Sequence, residues 1–190
     1  LERPERFRLE TLGAFDQPAV FLTSDGDTLL LYIKKKNTYY KGISSRDNFF
    51  KLSGINLSVE DTILVLSGNL PQLSFITLEW GIPLPDINQY YLERVSLTYN
   101  TIQRIWFDTR QFTISYFEEY RLTDGKLTLR VEFDDYRAEE GSFPIPARIL
   151  IDRPLDKTRV EVKYNSFELN QVIDPTLFSF KPPENAAPHF

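Results

Sequence analysis

The side chains that could do chemistry are few, and their spacing keeps them apart. The one histidine is His189, next to last in the Pro- and Ala-rich stretch KPPENAAPHF. A nucleophile–imidazole–acid triad needs an imidazole held between two partners, which a position so near the chain end does not offer. There is no Cys, so disulfides, thiolate nucleophiles, zinc–sulfur sites and iron–sulfur clusters are excluded. Metal sites built on His or Cys fail on the same count. The 8 glycines are scattered and form no phosphate-cradling loop. No cofactor is expected.

Carboxylate pairs are what is left: Glu118/Glu119, Asp134/Asp135 and Glu139/Glu140. Neighbours on a strand point to opposite faces, so such pairs do not converge on one site for acid/base work. Lys34-Lys35-Lys36 reads as the soluble end of a hairpin, with contact to anionic lipid as the lesser alternative. Asn56-Leu57-Ser58 matches a glycosylation sequon, but Ser58 already has a use as a helix cap. The sequence therefore points to a protein that binds rather than one that catalyses.

Composition bounds what is bound. At 190 residues the chain is long enough to bury about 70 % of its unfolded surface. Apolar residues reach 42 % and aromatics 14 %, with 15 Phe and 10 Tyr, which favours strands. The net charge of −5 comes from interspersed acids and bases. Nucleic acid is not an expected partner, since phosphate neutralisation needs clustered Lys and Arg. No run of 18 apolar residues would span a bilayer as a helix. Met is absent, so Leu1 is read as the start of a processed or trimmed chain, with any signal peptide or lipid-accepting cysteine expected upstream.

The elements that must position these side chains are mostly strands. Arg6–Leu12 alternates Phe7, Leu9 and Thr11 against charged residues. Ala19–Thr23 and Thr28–Ile33 flank an Asp25-Gly26 hairpin signal. Thr38–Lys41, Tyr90–Tyr99, Thr101–Asp108 and Phe112–Leu122 follow. After Asp124-Gly125 comes the cleanest strand, Lys126–Arg137, with Leu127, Leu129, Val131 and Phe133 on one side. Ile145–Asp152 and Arg159–Leu169 complete the series. One helix is expected: Ser58 caps it, Glu60 and Asp61 suit its positive end, and Gly68-Asn69 stop it before Pro71. Trp80–Pro85 reads as a Pro-stiffened loop.

The last long strand changes face. Val160, Val162 and Tyr164 alternate with charge until the parity slips at Asn165-Ser166, after which Phe167 and Leu169 hold the other phase. A bulge there would bend the strand. Asp174-Pro175 would then end its pairing, and Leu177, Phe178 and Phe180 would pack back over an edge. Residues 183–190 read as a flexible tail.

The ordered pieces carry a family resemblance. Pro-x-Arg-apolar-Arg at Pro4–Arg8, Leu-Pro after the helix, Pro-Ala-Arg-Ile at Pro146–Ile149 and Asn-x-x-Ile-Asp-x-x-x-Phe at Asn170–Phe178 follow one another at family spacing. RVEFDDYR, at Arg130–Arg137, lies between them. Over most of residues 3–182 the chain resembles the LolA/LolB-like lipoprotein carriers of the Gram-negative envelope, and within them the LolB-like branch of outer-membrane lipoproteins. The resemblance implies a mainly β fold: a strongly curved, incompletely closed antiparallel β-barrel, or half-barrel, with one or a few covering helices. It implies one such domain over residues 1–182, lacking the family's first helix and strand, since only three residues precede Pro4. It also implies binding of acyl chains, from lipoproteins or other lipids, in an apolar cavity and without catalysis. The expected setting is the periplasm, anchored to the outer membrane through an upstream lipidated cysteine. Expected partners are the inner leaflet of that membrane or a periplasmic carrier protein.

Strand parity names the cavity wall: Phe7, Leu9, Leu29, Leu31, Val95, Leu97, Leu127, Leu129, Val131, Phe133 and Ile149, with Ile63 and Leu66 from the helix. Parity alone does not separate a cavity from a filled core, because any β-sandwich would bury the same residues; the resemblance favours the cavity. Family members of the LolB kind carry an exposed apolar residue on a protruding loop. The polar Lys34–Thr38 hairpin supplies none, which leaves Ile82 and Leu84 as the membrane-contact candidates. The alternative is a structural or interaction subunit of an envelope complex that uses the same fold without lipid transfer.

Overall fold

Alternating apolar and polar residues set most of the architecture. A computed structural model describes residues 1–12, 17–138 and 143–188. The expectations at Glu139/Glu140 and His189 lie outside the described residues. Within them the fold is mainly β, with twelve strands and two α-helices. The strands form two open sheets, each with two free ends to its strand order, so neither closes into a barrel. Every pairing between consecutive strands is antiparallel.

The chain divides into two compact units. A terminal unit joins residues 1–63 to the segment that begins at Asn170; a central unit holds residues 64–169. The terminal unit contains β1 (Arg6–Leu12), β2 (Pro18–Asp25), β3 (Thr28–Ile33) and β4 (Thr38–Ile43), in that spatial order. Gly26, at φ 106°, makes the β2–β3 turn, and Asp25 Oδ1 accepts the N–H groups of Asp27 and Thr28. Lys34–Lys36 form one 3₁₀ turn, closed by Asn37 in the left-handed region. The three lysines are thus a hairpin tip.

Helix α1 (Arg46–Ser53) was not expected from the sequence. Ser45 caps it through the Asn48 N–H, and Gly54 ends it at φ 76°. Its one fully buried side chain, Phe49, meets Phe7 edge-on at 5.7 Å. Helix α2 (Val59–Leu66) is the expected helix; Ser58 Oγ accepts the Asp61 N–H.

The C-terminal segment lies on the other face of the β1–β4 sheet from Phe7 and α1. Asp174 caps a 3₁₀ turn over Pro175–Phe178, which packs on β1 and β2. Phe178 is buried, whereas Leu177 is exposed. Phe180 stacks on Phe21 at 4.8 Å and tilts against Tyr32 at 5.5 Å. The Arg8 guanidinium donates to the Leu177 carbonyl and lies over the Phe21 ring. Farther on, Asn37 Nδ2 bonds the Asn185 carbonyl, and the short β12 (Ala187–Pro188) pairs in parallel with β4 at Thr38 and Tyr39.

The central unit is one sheet of seven strands: β5 (Leu78–Leu84), β6 (Gln89–Ser96), β7 (Thr101–Asp108), β8 (Thr113–Arg121), β9 (Leu127–Arg137), β10 (Ile145–Arg153) and β11 (Thr158–Lys163). Two expectations are corrected here. Trp80–Pro85 is not a loop: its first five residues belong to β5, an edge strand, where Pro83 is tolerated because an edge can spare an N–H. Nor does the last strand run to Leu169 through a bulge. Strand β11 ends at Lys163, and the Tyr164 N–H turns to the Ala147 carbonyl while its hydroxyl donates to the Leu66 carbonyl at 3.0 Å.

Candidate functional site

Register decides which expected wall residues share a face. In the central unit Val131 faces Phe117 on β8 and Ile151 on β10, and Ile149 faces Phe133. Leu129, Val131, Phe133 and Ile149 therefore line one side of the sheet, with Ile105, Phe117 and Ile151, which the sequence reading did not single out. All seven are buried. Leu127 is half-buried at the start of β9. Val95 lies on the opposite side, because it pairs with Ile102 in register with Arg104–Glu118. Leu97 follows the end of β6 and is 62 % exposed.

In the terminal unit the pairings Phe7–Ser24–Leu29 and Leu9–Leu22–Leu31 place Phe7, Leu9, Leu29 and Leu31 on one face. Phe7 and Leu29 are buried, Leu31 is half-buried and Leu9 is 47 % exposed. On α2, Ile63 is buried and Leu66 half-buried. Apolar residues predominate on each of these faces, although buried Ser24 lies between Phe7 and Leu29 and pairs with the Ser44 hydroxyl. The central apolar members are closed in this structure, with Leu29, Leu129, Val131 and Ile149 at 0 % exposure.

A polar pair, Gln103 and Glu119, interrupts the central apolar face in register with Leu129. Gln103, fully buried on β7, donates through Nε2 to the Pro71 carbonyl and to Glu119 Oε1 at 2.9 Å. Its Oε1 accepts nothing. Flipping the amide would set oxygen against two acceptors, so the orphan oxygen follows from the surroundings.

The opposite face of the same sheet carries rings and charges in ladders. Trp80, Tyr91, Trp106 and Tyr116 run across β5 to β8 with centroid separations of 5.4, 5.0 and 4.1 Å. Beside them Glu93 accepts from Trp80, Tyr91 and Arg104. Burial pushes the Glu93 carboxyl up, but those three hydrogen bonds outweigh it and hold the group below its ordinary value. Burial, then the Glu93 carboxylate, raise the Tyr91 hydroxyl to about 12. Arg104 lies 4.7 Å over Tyr120, and buried Glu118 accepts from Tyr120 and Arg130. The ring ladder and the Trp80–Glu93, Arg104–Glu93 and Arg130–Glu118 pairs cross strands and hold the sheet, while Tyr91–Glu93 and Tyr120–Glu118 each lie within one strand. Glu118 and Glu119 do point to opposite faces, and each is occupied by its own donors. Among the described residues no group of three His, Cys, Asp or Glu side chains could hold a metal ion.

Ile82 and Leu84 sit on the free edge of this sheet. Ile82 is 45 % exposed and Leu84 half-buried. Phe75, Ile76, Leu78, Trp80 and Ile87 are also exposed, so an apolar row follows the strand. The Gly81 site is filled by the Tyr90 ring, which a β-carbon would meet at 2.6 Å.

Comparison with known proteins rests on shape. No family profile matches the chain, and no curated protein matches it in sequence. Among solved structures it is similar to a domain from Vibrio parahaemolyticus provisionally described as an outer membrane lipoprotein-sorting protein. The TM-score is 0.60 at 12 % identity, covering 94 % of this chain and 77 % of that one. At that identity the likeness establishes a shared fold: this chain has the mainly β fold, with open antiparallel sheets, of that domain.

Proposed function

We propose that the chain is a non-catalytic carrier or acceptor of acylated cargo, lipoproteins or other lipids, in the Gram-negative envelope, and that it is LolB-like. The observation that carries this reading is the fold likeness to a lipoprotein-sorting domain over 94 % of the chain. The apolar faces fit it chemically. Hydrocarbon gains about 0.8 kcal/mol per CH₂ on leaving water, and Phe7, Leu29, Leu129, Val131, Phe133 and Ile149 offer such a surface. Their closure means that cargo enters only when the packing over them parts. The donor would be a periplasmic carrier protein and the acceptor the inner leaflet of the outer membrane, met by the β5 edge through Ile82 and Leu84.

A second reading is favoured by that same closure: a structural subunit of an envelope complex with its interior permanently filled. Mass spectrometry of gently purified protein separates the two. Co-purified phospholipid or acylated peptide supports the carrier. A clean apoprotein that also binds no fluorescent fatty-acid probe ends that reading. Leu129→Glu should lower probe affinity at least tenfold, with circular dichroism showing that the strands persist; a folded variant with unchanged affinity removes the central face from the site. Ile82→Glu should spare probe binding and slow lipid delivery to liposomes, and an unchanged rate would remove the β5 edge.

A further inference from the structure

A groove of about 390 Å³ opens within the terminal unit, between the sheet face opposite Phe7 and the C-terminal segment. It is unrelated to the apolar faces above, since none of the residues expected to line a cavity borders it. Its floor is buried: Thr23 on β2, Leu30 on β3, and Phe178. Register explains the floor, because Thr23, Leu30 and Lys41 are partners across three strands on the side opposite Leu29. Phe180, fixed by its stacking on Phe21, supplies one wall.

Its charged lining has both signs. Lys41 and Lys181 border the groove, and neither belongs to an ion pair among the described residues. Asp25 and Glu184 border it too. The Asp25 Oδ1 is taken by two backbone N–H groups, which leaves its second oxygen. Two ammonium and two carboxylate groups beside the apolar Leu30 and Phe178 complement a ligand that has a tail and carries both charges on its head. A purely anionic head would meet two carboxylates, and a purely cationic one two ammonium groups.

We propose that this groove binds a zwitterionic amphiphile of the phosphatidylethanolamine class. The phosphate lies toward the lysine ammonium groups, the ammonium toward one of the two carboxylates, Asp25 at the β2–β3 turn or Glu184 near Asn37, and the start of one acyl chain lies on Leu30, Phe178 and Phe180. The site is separate from the cargo site proposed above.

The test is calorimetric titration of the full chain with lysophosphatidylethanolamine below its micelle concentration, beside lysophosphatidylglycerol and a free fatty acid. The ethanolamine lipid should bind at least tenfold more tightly than the other two. The double variant Lys41→Ala/Lys181→Ala should lose at least tenfold in affinity, and Arg148→Ala, on the other sheet, should lose none. Equal affinity for the three lipids, or an unaffected double variant, overturns the proposal. A photoreactive tail analogue should label residues 178–186 or β3. Labelling confined to Leu129–Phe133 would overturn the groove while supporting the cargo face, so the two ideas fail separately.

Discussion

Tyr164 shows how much one residue decides. Its hydroxyl bonds the Leu66 carbonyl, and burial raises its pKa to about 12 from an ordinary 10.0. A group with a raised folded pKa adds stability that is complete below its unfolded value and lost as pH climbs through the folded one. Stability should therefore fall between about pH 10 and 12, with Tyr91 adding to the effect and Tyr136, raised mainly by burial, extending it. Tyr164→Phe should cost about 1 kcal/mol at neutral pH and flatten the alkaline decline, read from urea midpoints at several pH values. An unflattened decline would show that other groups drive it. Glu93 works in the other direction. Its lowered pKa gives stability that is present above the ordinary value of 4.5 and lost as pH falls through the folded value. Glu93→Gln should weaken the acid dependence there and cost about 1–2 kcal/mol near neutral pH. Neither network could be read from the sequence, because strand parity says which face a residue takes but not which partner it meets.

At the scale of elements, alternation and turn signals located the strands well. The bounds of β1, β3 and β7 were legible to the residue, because each is a short run between clear breakers. Helix α1 was missed although Ser45 and Gly54 mark both of its ends; with Phe49 its one fully buried residue, it lacks the apolar stripe that reveals a helix. Ser45→Ala should destabilise it by about 1 kcal/mol, seen as lost protection of α1 amides in hydrogen exchange. Strand β5 was misread because Gly81 and Pro83 look like loop residues. Both suit an edge, where one space is filled by Tyr90 and one N–H is dispensable. The end of β11 was misread because Phe167 and Leu169 resume an alternation on the other phase, as a bulged strand would, although the chain has left the sheet. After α2, Gly68 takes φ 76°, and a β-carbon there would lie 2.6 Å from Pro146. Gly68→Ala should cost about 2 kcal/mol, measured as a lower melting temperature; an unchanged melt would mean that Pro146 yields freely.

At the scale of the molecule, parity sorted the expected wall residues by sheet face in part. Parity put Phe7 with Leu29, and Leu129 with Val131, because those strands alternate cleanly. It grouped Val95 with the apolar wall although Val95 shares a face with Arg104, because β6 carries apolar residues on both faces. The groove beneath Phe180 could not have been anticipated, since it depends on where a proline-rich segment comes to rest. That segment has a further consequence. The terminal unit is assembled from the two ends of the chain, while the central unit is one unbroken stretch. During synthesis the seven-stranded sheet can therefore mature while β1 to β4 still await Phe178 and Phe180. Trp80 and Trp106, the chain's 2 tryptophans, both belong to the early-finishing part. A polypeptide stopped after Leu169 should display native tryptophan emission before anything is complete at its other end, and a red-shifted spectrum would show instead that the two parts ripen together.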